Sequence, residues 1–139
     1  MTRGLKATAL AMGTLAIAAN VSSAQAVTGQ ELLRQCEALE RGALVSGETV
    51  RLPKSQDAAT CWVYMGAVQD FTATVEEEGG PSVIGSCVPP ETTRIDLVRA
   101  FTKYARGNRV NLGLRATALV IPALSAVFLC REQRASETR

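Results

Sequence analysis

The stretch that decides the fold is residues 57–72, DAATCWVYMGAVQDFT. Its apolar side chains recur every three to four residues and share one face: Ala58, Cys61, Met65 and Val68. Trp62 widens that face, and the pattern is typical of an amphipathic helix with one buried side. We predict a helix from Asp57, as its N-cap, to about Thr72. Gly66 in its middle costs roughly 1 kcal/mol relative to alanine, which indicates that another helix passes close by.

A second helix is predicted on the N-terminal side of this stretch. Thr28 and Glu31 have the spacing of a capping box, so this helix starts at Thr28. Gly42 and Gly47 are stop signals, and they end it at about residue 41. Apolar residues follow at helical spacing: Leu32, Cys36 and Leu39. Residues 44–56 are predicted to be a polar loop. A short strand over 49–52 has no evident partner there, so we predict no sheet.

A third helix is predicted between Pro90 and Gly107. Thr92 or Thr93 caps it, and Asp96 stands at the capping-box position for Thr93. Its buried stripe is Leu97, Val98, Phe101, Tyr104 and Ala105. Three arginines on the other side are expected to be solvated: Arg94, Arg99 and Arg106. Residues 73–90, before this helix, are predicted to be a long loop.

The last predicted helix runs from about Leu112 to Cys130, and Pro122 should kink it. One side of this helix carries Leu114, Ala118, Ile121, Ser125 and Phe128, while Leu119, Leu124 and Val127 make it apolar nearly all round. The fold class that follows is all-α: a small, disulfide-stapled bundle of about four helices arranged as two helical hairpins.

Residues 1–26 have the pattern of a secretory signal peptide. Arg3 and Lys6 form a positive n-region, residues 7–19 are an apolar run, and residues 24–26, Ala-Gln-Ala, match a cleavage site. The run is shorter than the roughly 20 residues that span a bilayer. We therefore expect cleavage and a periplasmic mature protein without a stable membrane anchor. An uncleaved N-terminal anchor is the alternative.

Cleavage after Ala26 leaves 113 residues with 13 basic and 13 acidic side chains, hence a formal charge of zero. We divide these residues into a helical domain over 27–130 and a disordered polar tail over 131–139. Balanced charge and few aromatics argue against nucleic-acid binding. The chain contains no His, which excludes Ser-His and Cys-His catalytic pairs. We accordingly assign no catalytic residue, no metal and no cofactor.

The four cysteines are expected to be paired, because an exported protein meets an oxidising compartment. Four cysteines allow three connectivities. In the predicted helix map, Cys36 and Cys61 are level across the first hairpin, and Cys87 and Cys130 are level at the open end of the second. This map favours Cys36–Cys61 and Cys87–Cys130.

Five residues are candidates for contact with a protein partner: Tyr64, Asp70, Glu76, Glu77 and Glu78. Tyrosine, tryptophan and arginine are enriched at interface hot spots. Trp62 belongs to the apolar face, so packing between helices is the simpler interpretation of that residue. For the three glutamates, a solvated charge run is the alternative.

The mature chain resembles the Rap/Tai family of small periplasmic proteins over about residues 29–130. The matching elements are Gly29-Gln30-Glu31-Leu32-Leu33 before Cys36, the stretch Cys61 to Asp70, Cys87-Val88-Pro89 before Thr93 and Leu97-Val98, and Ala118-Leu119-Val120 before Cys130. Characterised members of that family are immunity proteins against type VI secretion effectors, mostly peptidoglycan amidases.

The resemblance implies a compact helical protein, with a homodimer as one assembly state, that inhibits an amidase effector by occluding its active site. It implies no enzymatic activity of the inhibitor itself. The alternative function is a periplasmic structural or stress-response protein, similar to acid-stress chaperones, without a toxin partner.

Overall fold

The helices and strands of the computed structural model are described over residues 26–47, 49–77 and 85–130, with only the backbone for 74–77. In chain order they are α1 (Gly29–Gly42), β1 (Leu44–Ser46), β2 (Thr49–Arg51), α2 (Gln56–Glu77), α3 (Arg94–Gly107), a 3₁₀ turn (Arg109–Asn111) and α4 (Thr117–Val127). The predicted signal peptide, apart from Ala26, and the predicted tail lie outside the described residues. The described part is mostly helical and has four α-helices, as the sequence pattern predicts.

The start of α1 is held by a cap and by a second segment of chain. The Thr28 side chain accepts a hydrogen bond from the Glu31 N–H at 3.2 Å, as predicted. The first backbone N–H groups of a helix have no partner within it. Here the N–H of Gly29 donates to the Leu114 carbonyl, and that of Gln30 donates to the Leu112 carbonyl, both at 2.8 Å.

This pairing corrects the prediction for the last helix. Residues 112–116 are not helical, because they lie alongside the start of α1 and satisfy its donors; the Ala116 N–H in turn donates to the Val27 carbonyl at 2.8 Å. The helix α4 therefore begins only at Thr117 and ends at Val127. Pro122 lies inside it, and the helix continues past that residue.

The side on which Leu114, Ala118 and Ile121 align does not coincide with the buried side of α4. Leu114 and Ile121 are 52% and 41% exposed, and Ala118 is exposed as well. The buried residues of α4 are Leu119, Val120, Ala123 and Leu124. Because this helix is apolar on nearly every side, its sequence alone does not select the buried face.

Two short strands contradict the prediction of a polar loop over 44–56. β1 pairs antiparallel with β2, so that Leu44 faces Arg51 and Ser46 faces Thr49. The turn contains Gly47 at φ 58°, a left-handed conformation that glycine adopts without strain. The strand over 49–52 that the sequence suggested therefore pairs with β1, the strand immediately before the turn.

Helix α2 is longer than predicted at both ends. It begins at Gln56 rather than Asp57. The Ser55 hydroxyl accepts a hydrogen bond from the Ala58 N–H at 3.4 Å. The carboxylate of Asp57 pairs instead with the guanidinium of Arg34 on α1. At the other end the helix continues to Glu77, so the predicted loop over 73–90 begins five residues too early.

Helix α3 has the predicted bounds and cap. It starts after Thr93 and ends at Gly107. The Thr93 N–H donates to the Asp96 carboxylate at 3.2 Å, and the Thr93 hydroxyl donates to the same carboxylate. This is the capping box that the spacing of the two residues predicts.

We expect Thr93→Ala to lower the free energy of unfolding by about 1 kcal/mol, the usual loss when an N-cap side chain is removed. Urea denaturation followed by circular dichroism measures it. Thr93→Ser is the matched control, because it retains the hydroxyl. Equal stability of the alanine and serine variants would contradict a capping role.

The core lies where the two hairpins meet. Helix α1 packs against α2 and α3, and α4 packs against α3. The largest fully buried side chains come from all four helices: Leu32 and Leu39 from α1, Met65 from α2, Leu97, Val98 and Phe101 from α3, and Leu119 and Leu124 from α4.

One disulfide joins the two arms of each hairpin. Cys36 bonds to Cys61, with 5.0 Å between their Cα atoms, and Cys87 bonds to Cys130, with 4.9 Å. The favoured pairing is therefore confirmed. The first bond is fully buried between α1 and α2, whereas Cys87 is exposed. The second bond fastens the segment before α3 to the chain after α4.

Candidate functional site

An uncovered groove between α2 and α4 is the main candidate site. These two helices make almost no direct contact with each other. The space between them has a volume of about 320 Å³ and an almost entirely apolar lining. The lining residues are Tyr64, Ala67, Val68 and Phe71 from α2, and Thr117, Val120 and Ile121 from α4.

The groove exposes large apolar side chains. Phe71 is 50% exposed and Ile121 is 41% exposed. A contiguous exposed apolar surface on a small domain typically marks a site of interaction. Such a surface excludes water when a complementary side chain fills it, which is how an aromatic hot spot contributes to affinity.

Tyr64 lies at the edge between the core and this groove. It is partly buried and packs against the core cluster. Burial raises the pKa of the Tyr64 phenol above its ordinary value, because desolvation disfavours the phenolate. The side chain therefore stays neutral and presents an apolar ring with one hydroxyl to the groove, which suits an interface anchor.

The other flank of α2 is covered by α3. The guanidinium of Arg94 lies 4.6 Å from the centroid of the Trp62 ring, and its Nε donates to the Gln69 side chain at 3.2 Å. A Cβ at Gly66 would come within 2.8 Å of the Arg94 guanidinium carbon. Gly66 thus makes room for a neighbouring helix, as predicted, although the atoms that approach belong to a side chain.

These contacts correct one expectation about the arginines. Arg94 is not simply solvated, since it covers Trp62. Arg106 donates to Glu37 at 3.0 Å and to Glu40 at 2.9 Å on α1. The hydrogen bond to Glu37 raises the pKa of Arg106, with a further contribution from Glu40. Within the described part of the chain, the ion pair of Arg99 is with Asp96, one turn earlier on its own helix.

Among the described residues, only one of the five predicted to contact a partner lines the groove. Tyr64 lines the groove, and Asp70 is exposed on the same helix, next to Phe71. Glu76 and Glu77 belong to the last turn of α2, and Glu78 lies outside the described residues. Trp62 is on the opposite flank, packed against the core cluster and under Arg94, which agrees with the packing interpretation.

Sequence reasoning did not assign Phe71 and Ile121, the two large apolar side chains that are exposed in the groove, to a contact surface. A signal for the α2 side exists: Tyr64, Ala67, Val68 and Phe71 follow at i, i+3, i+4 and i+7. This is a second apolar stripe beside the one that contains Cys61 and Met65. No comparable signal marks Ile121, because α4 is apolar on every side.

A larger concavity, of about 540 Å³, lies along the exposed side of α1. Its lining combines apolar and polar surface, and its charged residues are of both signs: Glu31, Arg34, Glu37 and Arg109. Arg34 and Glu37 are already engaged in ion pairs with Asp57 and Arg106. Two of its four charged side chains are thus already neutralised within the domain, so we take the apolar groove as the main candidate.

The side chains of residues 26–47, 49–73 and 85–130 include no group of three or more His, Cys, Asp or Glu that could hold a metal ion. Over the described stretches, no helix is both long and apolar enough to cross a bilayer. All four cysteines are consumed by the two disulfides, so no thiol is available as a nucleophile.

The fold and the groove define a disulfide-linked, mostly helical domain with an uncovered apolar contact surface. The chain belongs to the Rap1a immunity protein family, whose family model matches residues 28–130. The match begins at the cap of α1 and ends at the last cysteine, and so covers the whole described fold apart from its first two residues. A search of curated proteins and a search of solved structures found no match.

An immunity protein binds a secreted effector, so membership of this family implies a protein partner. It also confirms the resemblance on which the sequence-based expectation of an immunity function rests.

Proposed function

We propose that this protein neutralises a peptidoglycan amidase delivered by a type VI secretion system. In this proposal, residues 1–26 direct export and are cleaved, and the folded domain binds the effector in the periplasm and occludes its active site. The observation that carries the proposal is the family match over residues 28–130, because it covers the disulfide-linked domain as a unit.

Inhibition by occlusion requires no chemistry from the inhibitor. The chain supports this mode of action, since it has no His and no free cysteine. Binding then depends on complementary surface, and the groove between α2 and α4 supplies apolar area with Tyr64 and Phe71 as aromatic anchors. The two disulfides agree with a protein that works in an oxidising compartment.

The test is a growth assay in a bacterial host that exports a peptidoglycan amidase effector of a type VI secretion system. We expect the full-length chain to restore growth, and a variant that lacks residues 2–26 to fail because it stays in the cytoplasm. N-terminal sequencing of the periplasmic protein should give Val27 as the first residue. Light scattering of the purified protein, alone and with the effector, gives the stoichiometry and tests for a homodimer.

Failure of the exported chain both to bind the effector and to restore growth would contradict the proposal. The stress-response alternative makes a different prediction. It requires that acidification expose apolar surface, seen as increased binding of a hydrophobic dye, and that the protein then suppress aggregation of a client protein.

A further inference from the structure

The two disulfides of this domain differ in how far they can be reached from solvent. Cys36 and Cys61 are each 0% exposed in the folded chain. Cys87 is exposed, and Cys130 is half-buried. Thiol–disulfide exchange requires contact between the attacking sulfur and the sulfur that it attacks. An external oxidant can therefore make the first bond only before the core closes, whereas the second remains open to reaction on the folded domain.

Loop entropy does not select the native partner of Cys61. Cys36 lies 25 residues before it, and Cys87 lies 26 residues after it. The cost of closing a loop rises only slowly with its length, so an unfolded chain forms a Cys61–Cys87 bond as readily as the native one. The packing of α1 against α2 decides the pairing, because it brings Cys36 to Cys61 and leaves Cys87, which precedes α3, outside this helix pair.

The segments that carry the second pair of cysteines are also held together by non-covalent contacts. The Cys87 N–H donates to the Phe128 carbonyl at 2.8 Å, and the Phe128 N–H donates to the Leu124 carbonyl of α4 at 2.7 Å. Val88 belongs to the core cluster, and Phe128 packs against that cluster. These contacts place the sulfurs of Cys87 and Cys130 side by side, and such an arrangement gives an intramolecular reaction a high effective concentration.

We infer that this chain matures through a folded intermediate that has the Cys36–Cys61 bond and two free thiols, those of Cys87 and Cys130. A thiol oxidase, meaning an exported enzyme with a reactive disulfide, then makes the second bond on the folded domain. Cys87 is the sulfur that this enzyme contacts, because it is the exposed one of the four. This maturation route rests on the proposed export of the chain to an oxidising compartment, and it does not involve the effector.

The second bond forms in two exchange steps. The Cys87 thiolate attacks one sulfur of the oxidase disulfide, so that a mixed disulfide forms and the other oxidase sulfur leaves as a thiolate. The Cys130 thiolate then attacks the Cys87 sulfur, which forms Cys87–Cys130 and expels the second oxidase sulfur. Two electrons pass to the oxidase, and the two protons lost by the thiols of this chain end on its two sulfurs.

The first experiment follows the order of oxidation in the unmodified chain. The purified protein is reduced in guanidinium chloride and diluted into buffer that contains a bacterial thiol oxidase in its disulfide form. Samples are alkylated over time, and their bonds are mapped by mass spectrometry. Among species with one bond, we expect Cys36–Cys61 to exceed Cys61–Cys87 by at least about tenfold, against a ratio of about one from loop length alone. That species should already have the circular dichroism spectrum of the native fold.

Oxidation without dilution from guanidinium chloride is the control, and it should give these two bonds in about equal amounts. A tenfold excess of Cys36–Cys61 in the denaturant as well would mean that folding does not select this bond. Either that result, or Cys61–Cys87 or Cys87–Cys130 as the main first bond in buffer, overturns the inference.

The second experiment identifies the sulfur that the oxidase contacts. In Cys130→Ser the second exchange step cannot occur, so a folded chain with the Cys36–Cys61 bond should accumulate as the mixed disulfide at Cys87. Cys87→Ser is the matched variant, in which the oxidase must react with the half-buried Cys130. We expect that reaction to be at least about tenfold slower, because reactivity follows exposure of the thiol. Equal rates, or a mixed disulfide at Cys36 or Cys61 of the folded chain, contradict the inference.

Neither experiment contains an effector, so their outcomes are separate from that of the growth assay. If the chain oxidises in this order but restores no growth, the maturation route stands and the proposed function fails. If the chain restores growth while its buried bond forms last, the immunity function stands and the maturation route is wrong.

Discussion

Replacing both Cys36 and Cys61 by alanine should lower the free energy of unfolding by about 4 kcal/mol. The bond closes a loop with a sequence separation of 25 residues, which contributes about 3.5 kcal/mol in the chain-entropy description. Both cysteines are fully buried, so removing the sulfurs also costs packing between α1 and α2. Small domains typically have only about 5–15 kcal/mol of net stability, and guanidinium denaturation measures the loss.

The second disulfide supplies the matched comparison. It closes a longer loop, with a separation of 43 residues, but Cys87 is exposed. We therefore expect dithiothreitol under native conditions to reduce Cys87–Cys130 first and to reach Cys36–Cys61 only when the domain unfolds. Mass spectrometry after alkylation gives the order. Early reduction of the buried bond in a folded protein would show that α1 and α2 separate locally.

Phe101→Ala is expected to lower the free energy of unfolding by about 3–5 kcal/mol. Phe101 is 0% exposed and is the largest of the fully buried side chains in the described residues. It belongs to α3, which packs against each of the other three helices. Phe101 belongs to the core cluster that residues of all four helices form. A cavity at this position is refilled only in part by neighbouring side chains.

Phe71→Ala is the control for this prediction, since it makes the same chemical change at a side chain that is 50% exposed. We expect it to cost about 1 kcal/mol, because half of the ring is already in water. Thermal unfolding of the two variants side by side measures the difference. Similar losses would mean that the groove is part of the stabilising core and not a surface reserved for a partner.

The two phenylalanines illustrate how stability and binding are divided in this domain. The side of α2 that carries Cys61 and Met65 is buried in the core. On a neighbouring flank, the guanidinium of Arg94 covers Trp62. The flank that carries Tyr64 and Phe71 remains available. A variant there can alter partner recognition with little effect on folding, which is the arrangement that a binding protein needs.

The helix map could be predicted from the sequence wherever a local signal was strong. Thr28 and Thr93 cap their helices because the hydrogen bonds of a capping box join residues only three apart. The stripe of Leu32, Cys36 and Leu39 is buried as its periodicity predicts. The disulfide pairing followed from the same map, because it requires only that each pair be level across a hairpin.

The errors fell where the sequence carries no local preference. Helix α4 is apolar on nearly all sides, so its buried face was decided by its packing against α3. Residues 112–116 have helical composition, yet their carbonyls pair with the exposed N–H groups at the start of α1. The hairpin of β1 and β2 was missed because its strands are three residues long and mostly exposed.

The sequence by itself determined the presence of four helices, the caps of α1 and α3, the two disulfides and the family resemblance, since each of these depends on residues close together or on the order of motifs along the chain. Only the tertiary structure decided which flank of α2 is covered and which is open. That outcome depends on where Arg94 of α3 and Ile121 of α4 lie in space. The candidate binding groove is therefore a product of helix packing, because it exists only where two helices that are distant in sequence lie side by side with little direct contact.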